Sequence, residues 1–190
     1  MPDMQLCSLN HDSFSARANM AEMASSTGSK NYAVIINNFK DKSGRNIRQG
    51  GENDDTYLGF VFVKNLGFDR LNVSEELKRN LTLEKWKCEH GCDKKCVQCL
   101  IEKSDIKNCK SFLLAVCSHG KTDEKGLQIQ FVDGFLYLHE IISFLKGCAS
   151  LEGKTVITVV EACRSVTGTL GKIYINLLKV DCKVNYSYLY

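Results

Sequence analysis

Apolar residues in this chain gather into short uncharged runs, not into long amphipathic stretches. Thr155 to Val160, reading TVITVV, is β-branched and free of charge, as expected for a strand buried on both faces of a parallel sheet. Ser111 to Cys117, reading SFLLAVC, has the same character, and Tyr32 to Ile36 is a third such run. Asp54 to Leu66 predicts a helix, with Leu58, Val61, Phe62 and Asn65 on one side and Gly67 as its C-terminal cap. Phe68 to Val73 is the next expected strand, so this half of the chain reads as one βαβ unit. From Gly126 the pattern alternates. Leu127, Ile129 and Phe131 face one way, Asp133–Gly134 makes a hairpin turn, and Phe135 and Tyr137 return. Leu138, Ile141, Ile142 and Leu145 then fall at helical spacing, and Gly147 closes that helix. The pattern as a whole predicts an α/β fold around a mostly parallel sheet, with a small β-hairpin outside it.

The flanks differ in composition. Met1 to Lys30 is rich in Ser, Ala, Met and Asn and reads as a mobile leader ending in the linker Ser25–Ser26–Thr27–Gly28–Ser29. At the other end, Ile173 to Val180 predicts one strand within an apolar, tyrosine-rich tail. The chain therefore divides into a leader over 1–30, a domain over 31–165 and a tail over 166–190.

Charge and composition narrow the partners. The net charge is +3, with 44% apolar and 25% charged residues, which suggests neither nucleic acid nor an anionic membrane as a partner. No apolar run approaches the roughly 20 residues of a membrane span, and the N-terminus has no signal core. The expected location is cytoplasmic, which makes the sequons at Asn72, Asn80 and Asn185 chance matches. Ten cysteines then point to reduced thiols, metal ligands or catalysis before disulfides.

Thr82 to Lys103 predicts a helix with Thr82 as its N-cap. Four of the cysteines, Cys88, Cys92, Cys96 and Cys99, would then share one stripe, with His90 nearby. They are either metal ligands or small apolar residues facing a core. On one straight helix the outer two would be about 16 Å apart at roughly 1.5 Å rise per residue, too far for one zinc ion. A break at Gly91 would change that geometry.

The candidate chemistry sits where two runs end. The first continues into Glu161–Ala162–Cys163–Arg164–Ser165, the second into Ser118–His119–Gly120. Side by side and parallel, these strands bring His119 and Cys163 to the sheet's carboxyl edge, where open α/β sheets build their sites. A thiol beside an imidazole is the minimum equipment of a cysteine nucleophile.

His119–Gly120 followed by Ala162–Cys163–Arg164 resembles the caspase family of cysteine proteases, whose signature pairs such a cysteine with a histidine upstream. The ending of Tyr32 to Asn38 resembles that family's first strand. Arg48–Gln49–Gly50 followed by Asp54 is similar to its R-x-G-T-x-x-D loop. Leu66–Gly67–Phe68, Asn80–Leu81–Thr82 and Ser150–Leu151–Glu152–Gly153–Lys154 are similar to further landmarks, so the likeness covers about 31–165. The resemblance implies a three-layer αβα sandwich. It implies an endopeptidase, active in apoptosis-like proteolysis, that cleaves proteins after aspartate and needs no cofactor. In that reading Cys163 attacks as a thiolate and His119 protonates the leaving amine. The N–H groups of Gly120 and Cys163 form the oxyanion hole, and Arg48 binds the P1 carboxylate.

Three departures stand against the family pattern. Glu161 replaces a glutamine expected to face the same pocket as Arg48, which unsettles the preference for aspartate. Ser165 replaces a glycine, and E-A-C-x-S is also similar to the legumain branch of the wider clan. The small subunit expected after the large one is missing or divergent, and the leader is of the short-prodomain type. Asp12 and Asp181 are candidate processing points, or plain polar residues. Two alternatives to a working protease follow. One is a caspase-like decoy that pairs with a small subunit or with a complete caspase. The other is a metal-binding, cysteine-rich regulator.

Overall fold

The uncharged runs become the centre of one sheet. In the computed structural model, which describes residues 30–71, 73–87, 95–104, 106, 108–162 and 172–179, β1 is Asn31–Asn37, β2 Phe68–Arg70, β3 Ser111–Cys117 and β7 Thr155–Ala162. These four pair in parallel, and β8, Lys172–Lys179, adds antiparallel to β7. The order across the sheet is β2-β1-β3-β7-β8. Every residue of β3 is buried. A central parallel strand is covered on both faces, which is why its sequence is apolar throughout instead of alternating.

Alternate residues of each strand enter opposite cores. Val34, Ile36, Phe112, Leu114, Val116, Val156 and Val160 point into one core with Trp86, Val97, Ile101, Ile141 and Leu145. Ala33, Ile35, Leu113, Ala115, Ile157 and Val159 point into the other with Phe62 and Phe68. The result is the αβα sandwich that the resemblance implied. Trp86 anchors the larger core, with its ring 6.0 Å from those of Phe131 and Phe144.

The helix expected after the polar loop forms in two windings. α1, Asp54–Leu58, runs into a π-helical stretch over Gly59–Asn65. Gly67 then takes φ 69, the left-handed conformation that ends a helix cheaply only at glycine. Because β1 and β2 are parallel neighbours, the βαβ unit stands.

One expectation is corrected. Thr82 to Lys103 is not a single helix. A short helix α2, Glu75–Lys78, precedes α3, Leu83–Trp86, whose N-cap is Thr82 as expected: its hydroxyl accepts from the Lys85 N–H at 3.3 Å. Lys87 leaves α3 in an extended conformation, and Cys96 enters α4, Val97–Lys103, also extended, as its N-cap. The sequence between, 88–95, holds two Cys, His, Gly and Asp, weaker helix formers, beside Glu89, Lys94 and Lys95. The four-cysteine stripe is therefore not one helix face. Cys96 and Cys99 are buried at the start of α4, whereas Cys88, His90 and Cys92 lie outside the described residues, as do Asp12 and Asp181.

The hairpin forms a separate sheet, as expected, but with a third strand. β4 (Gly120–Asp123), β5 (Gly126–Phe131) and β6 (Gly134–Tyr137) are antiparallel. The segment GKTD of β4 carries no apolar alternation, and its strand exists because β5 supplies the pairing. α5, Leu138–Gly147, buries Ile141, Ile142 and Leu145 and opens with the Tyr137 N–H donating to the Glu140 carboxylate at 3.0 Å. The expected tail strand is β8, which belongs to the main sheet.

Candidate active site

β1, β3 and β7 end at one edge of the sheet, and each releases polar residues there. Three asparagines fix the surrounding loops. Asn38 accepts from the Leu81 N–H at 2.7 Å and donates to the Gln130 carbonyl at 3.2 Å. Asn80, at φ 52, accepts from the N–H groups of Phe39 and Lys40 at 3.0 and 2.9 Å. Asn37, fully buried, donates to the Gly51 carbonyl and accepts from Arg48 Nη1 at 3.3 Å. Asn37 and Asn38 are buried amides with both ends satisfied, which hold a loop more rigidly than apolar contacts alone, since breaking one bond strands a buried polar atom. The loop from Lys40 to Gly51 is therefore tied to the sheet edge, and it carries Ile47 and Arg48.

His119 follows β3 by two residues. Its Nε2 hydrogen-bonds the backbone carbonyl of Ile47. A carbonyl oxygen only accepts, so Nε2 carries the hydrogen and a neutral ring keeps Nδ1 as its proton acceptor. A base whose far nitrogen is fixed by a third group is the arrangement that activates nucleophiles. The neighbouring Ser118 is pinned twice, by its N–H to the Glu161 carbonyl at 3.0 Å and by its hydroxyl to the Gln130 carbonyl.

Arg48 lies at the centre of a charged cluster. Its Nη2 stands 2.8 Å from Asp54 Oδ2 and 3.4 Å from Glu161 Oε1. Asp54 opens α1, and Glu161 is the next-to-last residue of β7. The second oxygen of Glu161 accepts from the Cys117 thiol at 3.4 Å. Burial pushes the Asp54 carboxyl above its ordinary range; Arg48 lowers it and Glu161 raises it again. Burial, then the Glu161 carboxylate, push the Cys117 thiol far up. Cys117 thus stays a protonated donor, the opposite of what a thiolate nucleophile requires. Asp54, Cys117 and Glu161 offer ligand atoms all within 4.8 Å of one another. The cation of this cluster is the Arg48 guanidinium, which already lies against both carboxylates.

A family model of the caspase domain matches residues 30–183. The chain belongs to the caspase family. It is 29% identical over 135 residues to caspase-3 of Bos taurus, and equally so to caspase-3 of Oryctolagus cuniculus; each match covers 69% of this chain and 42% of the relative. The crystal structure of caspase-1 from Spodoptera frugiperda superposes with a TM-score of 0.51 at 21% identity, over 71% of this chain and 48% of that one. The chain spans less than half the length of these relatives. The domain places His119 two residues after β3, and Ala162 closes the neighbouring strand β7.

The expected site residues fare unequally in this caspase domain. Glu161 and Arg48 do share one spot, as an ion pair. Gly120 opens β4 beside His119, paired with Ile129. Cys163 lies outside the described residues; its predecessor Ala162 closes β7 at the same edge. Four participants were not read from the sequence as site residues: Asn37, the Ile47 carbonyl, Asp54 and Cys117. Asp54 and Asn37 were visible within the loop and strand landmarks, but nothing in a linear pattern shows that they face Arg48. A backbone carbonyl carries no sequence signal at all.

Proposed function

We propose that this caspase-family chain is a cysteine endopeptidase that uses Cys163 as nucleophile and His119 as general acid–base. The observation that carries the reading is the His119–Ile47 hydrogen bond at the edge where β7 leads into Cys163. The Cys163 thiolate attacks the scissile carbonyl carbon, forming the C–S bond and a tetrahedral oxyanion. The N–H groups of Gly120 and Cys163 receive that charge. The C–N bond then breaks, and the amine leaves with a proton from the His119 imidazolium. Water, giving a proton back to His119, attacks the thioester, releases the acid and regenerates the thiolate. The substrates are proteins, and the family relation supports a place in apoptosis-like proteolysis in the cytoplasm.

A partner chain also belongs to this reading. β8 lies along all eight residues of β7, from Thr155↔Lys179 to Ala162↔Lys172. A small subunit or a complete caspase would therefore extend the sheet from β8, not from β7.

The test is hydrolysis of fluorogenic peptides by the purified chain beside Cys163→Ala and His119→Ala. Activity lost in both variants is the expected result; activity that survives Cys163→Ala refutes the assignment. The Arg48–Glu161 pair favours a second reading, a decoy that has given up aspartate recognition. Binding to a complete caspase, with Cys163 unreactive to peptidyl electrophiles, would establish that alternative.

A further inference from the structure

The charge at this site is the reverse of one built to receive a carboxylate. Arg48 is covered, with its side chain 11% exposed, and three partners engage it: Asp54 at 2.8 Å, Asn37 at 3.3 Å and Glu161 at 3.4 Å. Asp54 is 21% exposed, and the Glu161 side chain 37%. The charged group of this trio that most faces solvent is thus a carboxylate, and the guanidinium lies beneath it. Glu52 adds a further negative charge close enough to act on Asp54. Among the described residues, the Arg48 guanidinium thus stands against two carboxylates, with Glu52 a further acidic group near Asp54.

Glu161 also retains acceptor capacity. An ionised carboxylate offers about four lone-pair positions. Here one oxygen faces Arg48 at a loose 3.4 Å, and the other accepts from a thiol, a weak donor, at 3.4 Å. Glu161 stands two residues before Cys163 in the chain. Being the most exposed of the three, this carboxylate meets a side chain entering at this edge before the guanidinium does. An aspartate there would bring like charges together without a free guanidinium to offset them. A guanidinium or ammonium would complete the open acceptor positions through charge-assisted hydrogen bonds.

We propose that the pocket built by Arg48, Asp54 and Glu161 selects a basic P1 residue, arginine or lysine, and rejects aspartate. This rests on the peptidase reading above and names its substrate class.

The experiment uses the full chain, with folding verified by circular dichroism, and peptides identical except for P1 Arg, Lys, Asn or Asp. Chloromethyl ketones of the same four sequences, read by mass shift at Cys163, report pocket preference even when turnover is slow. The expected result is Cys163-dependent cleavage or labelling with Arg or Lys favoured over Asp by at least about tenfold, the size of one unfavourable charge contact. Glu161→Gln should narrow or reverse that ratio by a further factor of about ten or more. Cys163-dependent cleavage after Asp, or a ratio unmoved by Glu161→Gln, overturns the inference while the peptidase reading stands. Folded protein that neither cleaves nor takes label with any of the four overturns the peptidase reading, and the inference falls with it.

Discussion

Gly50 and Gly51 are adjacent in the loop that carries Arg48, and they should fail for different reasons. Gly50 adopts φ 77, ψ −2 in open space, with nothing within 4 Å of a Cβ built there. Alanine at that position meets no neighbour but must hold the left-handed conformation, at a cost of about 1–2 kcal/mol. Asparagine tolerates that conformation far better, so Gly50→Asn should recover most of the loss. Gly51 is buried, and a Cβ there would lie 2.7 Å from Phe39 Cβ and 3.0 Å from Arg48 Cβ. Those are atoms at the backbone, not flexible side-chain ends, so the loop itself must move. Overpacking of that kind costs about 1–3 kcal/mol, and the movement also pulls the Gly51 carbonyl from Asn37. No side chain rescues position 51. Each kcal/mol should lower Tm by about 2–4 °C in a domain of this size. Thermal unfolding of Gly50→Ala, Gly50→Asn and Gly51→Ala reads the difference directly. A Gly51→Ala variant as stable as the parent, or a Gly50→Asn variant as damaged as Gly50→Ala, would refute this account of the loop.

Asn80 is both left-handed and a double acceptor, so Asn80→Ala should cost about 2–3 kcal/mol in urea unfolding; Asn80→Gly should recover only the backbone share, about 1 kcal/mol. The Thr158 hydroxyl, buried in β7, finds no hydrogen-bond partner among the described residues. Thr158→Val should therefore stabilise the fold by about 1 kcal/mol, and a loss of stability would show that the hydroxyl is paired. Asp54 has a folded-state carboxyl held above its ordinary value of 3.8, so folding favours its protonated form. Its contribution is greatest at low pH and is lost as pH rises from 3.8 through the raised folded value. Asp54→Asn should flatten the fall of the urea midpoint across that window, and an unchanged slope would assign it to another group.

What the sequence settled by itself was local and periodic. The uncharged, β-branched runs at Tyr32–Ile36, Ser111–Cys117 and Thr155–Val160 read as strands buried on both faces, and they form neighbouring parallel strands. Asp133–Gly134 and Thr82 spoke for themselves as turn and cap, since turn and capping preferences involve a few neighbouring residues. The order of His119 and the ACR segment after two such strands was enough to suggest the chemistry. The tertiary structure decided everything that depends on facing. Cys117 and Glu161 are 44 positions apart in sequence, yet the parallel register sets them side by side. Arg48 reaches both Asp54 and Glu161 because a loop held at its two ends by Asn80 and Asn37 lies at the sheet edge. The helix expected over Thr82–Lys103 is interrupted: Lys87 and Cys96 are both extended, while Trp86 and Val97 on either side enter one core. β4 and the Ile47 carbonyl were invisible beforehand for the same reason. A backbone group, or a strand made by its partner, has no side-chain pattern to announce it.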